Sequence, residues 1–256
     1  MEFRKIFDTI PDKFDKYRPR YSAALFDDLI AYADIGAGKT VLELGPGTGQ
    51  ATGPILKTGC DYRAIELGEH LAAKMEENFG HYPNFSITCD DFITHDFGEQ
   101  RFDMIYSAAT IQWIPEEIAF AKTFSLLKPG GVLAMMLTRS DYRTPNEALY
   151  QEIQKVYEAH WRPVEHYGRK FVYTNAQNYG YVDFERREYH GRREMTAEEY
   201  VAFSGTHCDH IDIPEPHRSA FFGGLRDAVL AAGDKIVFED TYVLMLAKKP
   251  AYKEIA

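Results

Sequence analysis

VLELGPGTGQ, residues 41–50, runs from four residues of strand character into glycine at every second position, Gly45, Gly47 and Gly49. A glycine-rich turn between a first strand and a first helix lies at the carboxyl end of an open α/β sheet, where such sheets bind ligands. Outward from it, strand-like runs recur at TVLEL (40–44), YRAIEL (62–67), NFSITCDD (84–91), FDMIYSA (102–108) and GVLAMML (131–137). Helical segments alternate with them, which predicts a parallel α/β sheet with crossover helices on both faces. HLAAKMEENF (70–79) puts Leu71, Met75 and Phe79 on one stripe, and EEIAFAKTFSLL (116–127), ended by KPGG, does the same with Phe120, Phe124 and Leu127. SAALFDDLIAYA (22–33), with Ser22 as N-cap and Leu25, Leu29 and Tyr32 on one side, reads as a helix covering the sheet.

After residue 138 strands become scarce. NEALYQEIQKVYEAHW (146–161) is an amphipathic helix with Leu149, Ile153, Val156 and His160 along one stripe, stopped by Pro163. A strand follows near VDFERREY (182–189), and Thr196 and Glu199 have capping-box spacing for a short helix. EPHRSAFFGGLRDAVLAAG (215–233) is a helix carried by Phe221, Leu225 and Val229 and closed by Gly233. TYVLMLAKK (241–249) is the final strand. The expected organisation is one domain over 1–256. It has a ligand-binding core with a helical N-terminal arm (1–138), covering helices with a late strand (139–240) and the final strand (241–249).

A formal net charge of −10 opposes phosphate backbones, so a nucleic-acid binder would need a local basic face. RREYHGRR (186–193) is the one basic cluster; Glu188 interrupts it, and it reads as a solvated strand edge and turn. Cys60, Cys89 and Cys208 lie far apart with no CxxC pair, which fits neither a disulfide framework nor a zinc ribbon. THCDH (206–210) brings His207, Cys208, Asp209 and His210 together, but without a second cluster it reads as a loop end rather than a metal site. His160 reads as a core histidine. With no apolar run near the ~20 residues of a membrane span, a cytoplasmic monomer is expected.

Three ligand classes compete for the glycine turn. A P-loop needs Lys and Ser or Thr after its last glycine, and Gln50 and Ala51 stand there. A dinucleotide turn, G-x-G-x-x-G, has its third glycine at position 50, again Gln50. A pyrophosphate is also repelled by a carboxylate beside the helix N-terminus, and Glu43 precedes the first glycine by two residues. S-adenosylmethionine carries a sulfonium and an ammonium and no phosphate, so for it the acidic residue is an asset. Glu66, at the end of the second strand ~20 residues past the turn, suits the hydroxyls of an adenosine ribose in either of the last two classes.

E-L-G-P-G-T-G (43–49), Glu66, Asp-Asp-Phe (90–92), FDMIYSAATIQW (102–113) and LLKPGGVLAMML (126–137) together resemble the successive motifs of class I S-adenosylmethionine-dependent methyltransferases. The nearest pattern is the small-molecule group that includes trans-aconitate methyltransferase. The resemblance implies a doubly wound, mostly parallel, seven-stranded Rossmann-like sheet with an antiparallel last strand and helical cover in the C-terminal half. It also implies that Gly45, Gly47 and Gly49 line the methionine part with Glu43 beneath and that Glu66 takes the ribose diol. Asp91, or Asp90 in the alternative register, accepts from the adenine amino group, and Phe92 flanks the ring. Ser107, Ala108 and Ala109 end the fourth strand at the mouth of the acceptor pocket. Gln112 and Trp113 stand where this group often has His-Trp, and a glutamine orients a substrate without taking its proton. Tyr17, Arg18, Tyr21 and Arg139 are the remaining acceptor-side candidates. Methyl transfer to a small-molecule acceptor is then an in-line displacement governed by alignment. A NAD-dependent oxidoreductase and a non-catalytic module that binds S-adenosylmethionine are the alternatives.

Overall fold

In the computed structural model, residues 2–165, 168 and 170–251 are described, and they belong to two compact units. The larger, the core unit, takes residues 20–138, 169–189 and the chain from 242 onward. The smaller takes the start of the chain to residue 19, then 139–168 and 190–241. The stretch read as a ligand-binding core therefore reappears as 20–138 with two later returns of the chain, while the first nineteen residues fall in the other unit.

The core unit is built on a seven-stranded sheet. Its strands are β1 (Thr40–Leu44), β2 (Asp61–Glu66), β3 (Phe85–Cys89), β4 (Phe102–Ala108), β5 (Leu127–Asp141), β6 (Val182–Met195) and β7 (Ile236–Lys248), in the order β3-β2-β1-β4-β5-β7-β6. The first five strands pair in parallel and the last are antiparallel. Strand order reverses at β1, so the segment after β1 opens at the switch point of the sheet.

Alternation along each strand sends side chains to two layers. One layer joins Val41, Tyr62, Met104 and Ala134 to Leu25, Phe26 and Leu29 of α2 (Ala23–Ala33), Ile55 and Leu56 of α3 (Thr52–Leu56) and Met75 of α4 (Glu69–Phe79). The other joins Leu42, Leu44, Ile105 and Leu133 to Ala119 and Phe120 of α5 (Glu116–Leu126). Helices thus cover both faces, as the alternation of runs predicts. Ser22 sits at the N-cap of α2 without a side-chain capping bond.

Three strands exceed their sequence reading, β7 by starting at Ile236 rather than 241. GVLAMML is the middle of β5, whose start, Lys128 to Gly131, is a bulge between the Phe102–Leu127 and Met104–Val132 pairs. Gly130 takes φ +78° there, and its N–H donates to Lys249 O at 3.0 Å. KPGG therefore both ends α5 and docks the end of β7, a non-local function that a terminator reading misses. β6 runs on to Met195 because its alternating charged residues leave one face exposed and carry little hydrophobic signal.

The smaller unit has its own core, in which Leu149 and Ile153 of α6 (Glu147–His160), Tyr200 and Phe203 of α7 (Ala197–Ser204), and Phe221, Leu225 and Val229 of α9 (His217–Ala231) are buried. The stripe predicted for 215–233 is that buried face; of the stripe predicted for 146–161, Leu149 and Ile153 are buried and Val156 is half-buried against them, whereas His160, expected in the core, is half-buried outside it. α1 (Pro11–Tyr17) follows a 3₁₀ turn (Phe3–Thr9), neither of which is evident among the interleaved charges of residues 2–17. The THCDH stretch is not a loop end: Cys208–Ile211 forms a short helix, α8, and His210 is buried with Nδ1 2.9 Å from Ser204 O.

The Thr196–Glu199 capping box forms as predicted, with Thr196 N donating to Glu199 Oε2 at 2.9 Å and Glu199 N donating to Thr196 Oγ1 at 3.3 Å. Thr196→Ala should lower the free energy of unfolding by about 1 kcal/mol, read from the midpoint of urea denaturation.

Candidate functional site

The carboxyl ends of β1, β2, β3 and β4 converge on the glycine turn. Gly45, Gly47 and Gly49 all take left-handed backbone, φ +56°, +62° and +95°. Space is a second constraint at the outer two: a Cβ on Gly45 would lie 2.2 Å from Thr110 Cγ2, and one on Gly49 2.2 Å from the Phe79 ring. The turn is tied on every side. Gly45 N donates to Ile65 O at 2.8 Å, Thr110 Oγ1 to Gly45 O at 2.8 Å, Asn78 Nδ2 to Thr48 O at 3.1 Å, and Arg20 Nη1 to Gly49 O at 3.3 Å.

Glu66 joins the turn to the next loop. Its Oε2 accepts from Gly47 N and its Oε1 from Gly68 N, both at 3.0 Å, with the residue only 6% exposed. The acidic residue singled out for a ligand thus also closes the turn. Beside it, Asp90 N donates to Glu66 O at 2.9 Å, which places the 90–92 segment against the same strand ends. Asp90 is exposed, its Oδ2 2.8 Å from His95 Nδ1, and that hydrogen bond holds its carboxyl below the usual range. Asp91 Oδ1 accepts from Ile93 N at 2.9 Å. Phe92 is buried in the core against Phe97, ring centroids 5.8 Å apart.

Glu43 points into the layer beneath the turn and is fully buried. Its Oε2 accepts from Thr52 Oγ1 at 2.6 Å and, in a shorter contact, from the Tyr62 hydroxyl. Tyr62 and Tyr106 hydroxyls are 2.8 Å apart, and Tyr106 is the register partner of Glu43 on β4. Burial pushes the Glu43 carboxyl above its usual range, opposed by hydrogen bonds from Thr52, Tyr62 and Tyr106. Burial, then the charge of Glu43, pushes both tyrosines well up. Sequence reasoning missed Thr52, Tyr62 and Tyr106. A carboxylate on a buried strand face demands donors nearby, but only strand register says which residues supply them.

At the end of β4, Ser107 is buried and its Oγ accepts from Ile111 N at 2.8 Å. Ala108 is half-buried, and Ala109 holds φ +57°, strained for a residue with a side chain. Gln112 Nε2 donates to Ala109 O at 2.9 Å and its Oε1 accepts from Tyr173 OH at 3.4 Å, so the amide is oriented; Trp113 is half-buried next to it.

Tyr17, Arg18 and Arg139 belong to the smaller unit. Arg18 Nη2 donates to Thr206 O at 2.6 Å, with its guanidinium over the rings of Phe7 and Phe14. Tyr17 packs against the core of that unit, and Arg139 is exposed on β5. Among the described residues no group of three His, Cys, Asp or Glu side chains is arranged to hold a metal.

Residues 41–131 match the family described as "Methyltransferase domain". Over 134 residues the chain is 28% identical to malonyl-[acyl-carrier protein] O-methyltransferase of Marinomonas sp., covering 51% of this chain and 49% of that protein. It is 30% identical over 126 residues to trans-aconitate 2-methyltransferase of Methylobacterium radiotolerans, with 49% and 46% covered. It is 35% identical over 72 residues to ribosomal RNA small subunit methyltransferase A of Dehalococcoides mccartyi, with 28% and 25% covered. The chain thus spans about half the length of the first two relatives and a quarter of the third. The fold is shared with phosphoethanolamine N-methyltransferase 2 of Haemonchus contortus, solved with phosphomonomethylethanolamine and S-adenosylhomocysteine. The TM-score is 0.58 at 16% identity, over 98% of this chain and 60% of that one.

Gly49→Ala combines a left-handed backbone with a clash against Phe79. It should cost about 1–3 kcal/mol from backbone strain alone, measured as a lowered urea midpoint, whereas alanine at the open Gly36 should leave the midpoint nearly unchanged.

Proposed function

We propose that the chain is a class I, S-adenosylmethionine-dependent methyltransferase, as the match of residues 41–131 to a methyltransferase domain supports, and that it transfers a methyl group from that cofactor to a small-molecule acceptor. The observation that carries the proposal is the turn with three left-handed glycines closed by Glu66 at the switch point of the sheet.

The residues fit the cofactor by their chemistry. Left-handed glycines let the turn fold tightly around Thr110 and Phe79, and the methionine part would lie along its backbone. Glu66 would accept from the ribose diol, and Asp90 or Asp91 from the adenine amino group. Phe92, buried between the turn of the 90–92 segment and the core, would back the ring with its edge. Glu43 would place negative charge under the cationic part, since one of its buried oxygens, Oε1, has no hydrogen-bond partner among the described residues. When bound, the cofactor supplies a methyl group already activated by the sulfonium.

The residues around the acceptor end have to align and desolvate. Ser107, Ala108 and Ala109 would form the floor there. Gln112, held by Ala109 O and Tyr173 OH, would orient the acceptor. Neither Gln112 nor Trp113 takes a proton at neutral pH, so this segment suits an acceptor that needs no base, a carboxylate before an alcohol.

Charge supports a small molecule over RNA. In the one basic cluster, Arg186 pairs with Glu188, Arg187 with Glu185 and Asp28, Arg192 with Glu194, and Arg193 with Asp240. Each arginine is thereby neutralised within its own unit, leaving little to attract phosphates. Among the described residues no helix is long and apolar enough to cross a membrane. Three free cysteines accord with a cytoplasmic setting.

S-adenosylhomocysteine should raise the melting temperature and NAD should not; the opposite preference would sink the proposal. Labelled S-adenosylmethionine offered with separate pools of carboxylic acids, amines and RNA should label the acid pool, while binding without transfer to any pool would favour a non-catalytic module. Glu66→Gln should weaken S-adenosylhomocysteine binding roughly tenfold to a few hundredfold, the worth of one or two hydrogen bonds to a charged acceptor, as read by calorimetry.

A further inference from the structure

We infer that Glu43 is a positioning residue: with Thr52, Tyr62 and Tyr106 it forms a buried strut that sets the second half of the glycine turn. This rests on the proposal that the turn holds the cofactor. The first half of the turn has its own ties, since Gly45 N bonds Ile65 O and Gly45 O accepts from Thr110. The second half leads into α3, which is five residues long. A helix that short has almost no stability of its own and needs a tertiary anchor. Thr52, its first residue, is where the anchor attaches: Thr52 N donates to Gly49 O at 3.3 Å, and Thr52 Oγ1 donates to Glu43 Oε2 at 2.6 Å.

Each hydroxyl has one proton to share among several oxygens. Tyr62 donates to Glu43, and its hydroxyl lies 2.8 Å from that of Tyr106 and 3.1 Å from Thr52 Oγ1. The chain Tyr106 to Tyr62 to Glu43, met from the other side by Thr52, spans β4, β2, β1 and α3. Among the described residues no cation pairs with Glu43, so hydroxyls alone hold this buried carboxylate. A carboxylate held so has little freedom to move, because each lost donor leaves it less compensated. Val at position 52 would keep the shape of Thr52 and remove the tie, whereas Ser would keep the tie.

The experiment compares wild type, Thr52→Val, Thr52→Ser and Glu43→Gln at a temperature well below each melting point. Two readouts are taken: S-adenosylhomocysteine affinity by calorimetry, and hydrogen exchange of the amides of residues 49–56 in the ligand-free protein. Thr52→Val and Glu43→Gln should weaken binding about tenfold, on the order of 1.4 kcal/mol, and speed exchange of that segment by a similar factor. Thr52→Ser should stay within about twofold of wild type on both, since it restores the hydroxyl. A Thr52→Val protein that binds and exchanges like wild type, or a Thr52→Ser protein as impaired as Thr52→Val, overturns the strut, even if melting temperatures fall. If wild type does not bind S-adenosylhomocysteine, the proposed function fails, and the exchange readout still decides for or against the strut.

Discussion

One carboxylate, Glu66, holds two backbone N–H groups from neighbouring loops at the carboxyl ends of two parallel strands, Gly47 in the turn after β1 and Gly68 in the loop after β2. Hydrogen bonds to a charged acceptor are stronger than neutral ones, and here both carboxylate oxygens are used while the residue is nearly withdrawn from water. The geometry of the turn, the approach of β2 to β1, and the position of the 90–92 segment beside Glu66 O all pass through this residue. For an adenosine ligand the same carboxylate would have to serve both the ligand and the backbone. The backbone bonds alone require an acceptor at a strand end that packing would otherwise fill with an apolar residue.

Beneath the turn the requirement is inverted. Glu43 is also a carboxylate at a strand end, yet it is enclosed by hydroxyls rather than backbone amides, and burial raises its pKa. The charge argument that favours a cationic ligand over a pyrophosphate treats Glu43 as a free charge facing the site. In the folded protein the charge is partly spent on Thr52 and Tyr62. Under the proposed function, what it would contribute to a ligand would come through the shape of the turn as well as through its field.

Much of the architecture was legible because it is periodic. α4, α5, α6 and α9 follow from apolar stripes, β1 to β4 from apolar runs bounded by turn residues, and α7 from the spacing of Thr196 and Glu199. Legibility failed where structure depends on pairing. The bulge at 128–131 meets the residue after the end of β7, β6 extends as an edge strand with an alternating polar face, and α1 interleaves charged residues that leave little apolar stripe to read. RREYHGRR is a basic cluster when read linearly. In the structure its arginines meet carboxylates two residues away on the same strand face, as Arg187 meets Glu185, or brought in from afar, as Arg193 meets Asp240.

The sequence by itself determined the succession of strands and the longer helices, the glycine turn, and the two carboxylates near the carboxyl ends of β1 and β2, because each is a local pattern of residue types. Tertiary structure alone decided what those carboxylates do. Parallel pairing puts Tyr106 opposite Glu43 and Tyr62 one step diagonal to it, and the adjacent ends of β1 and β2 bring Gly47 onto Glu66. Register and reversal arise from the packing of whole layers, and a shift of one residue would turn Glu43 to the other face of the sheet. No window of sequence around either glutamate carries that information.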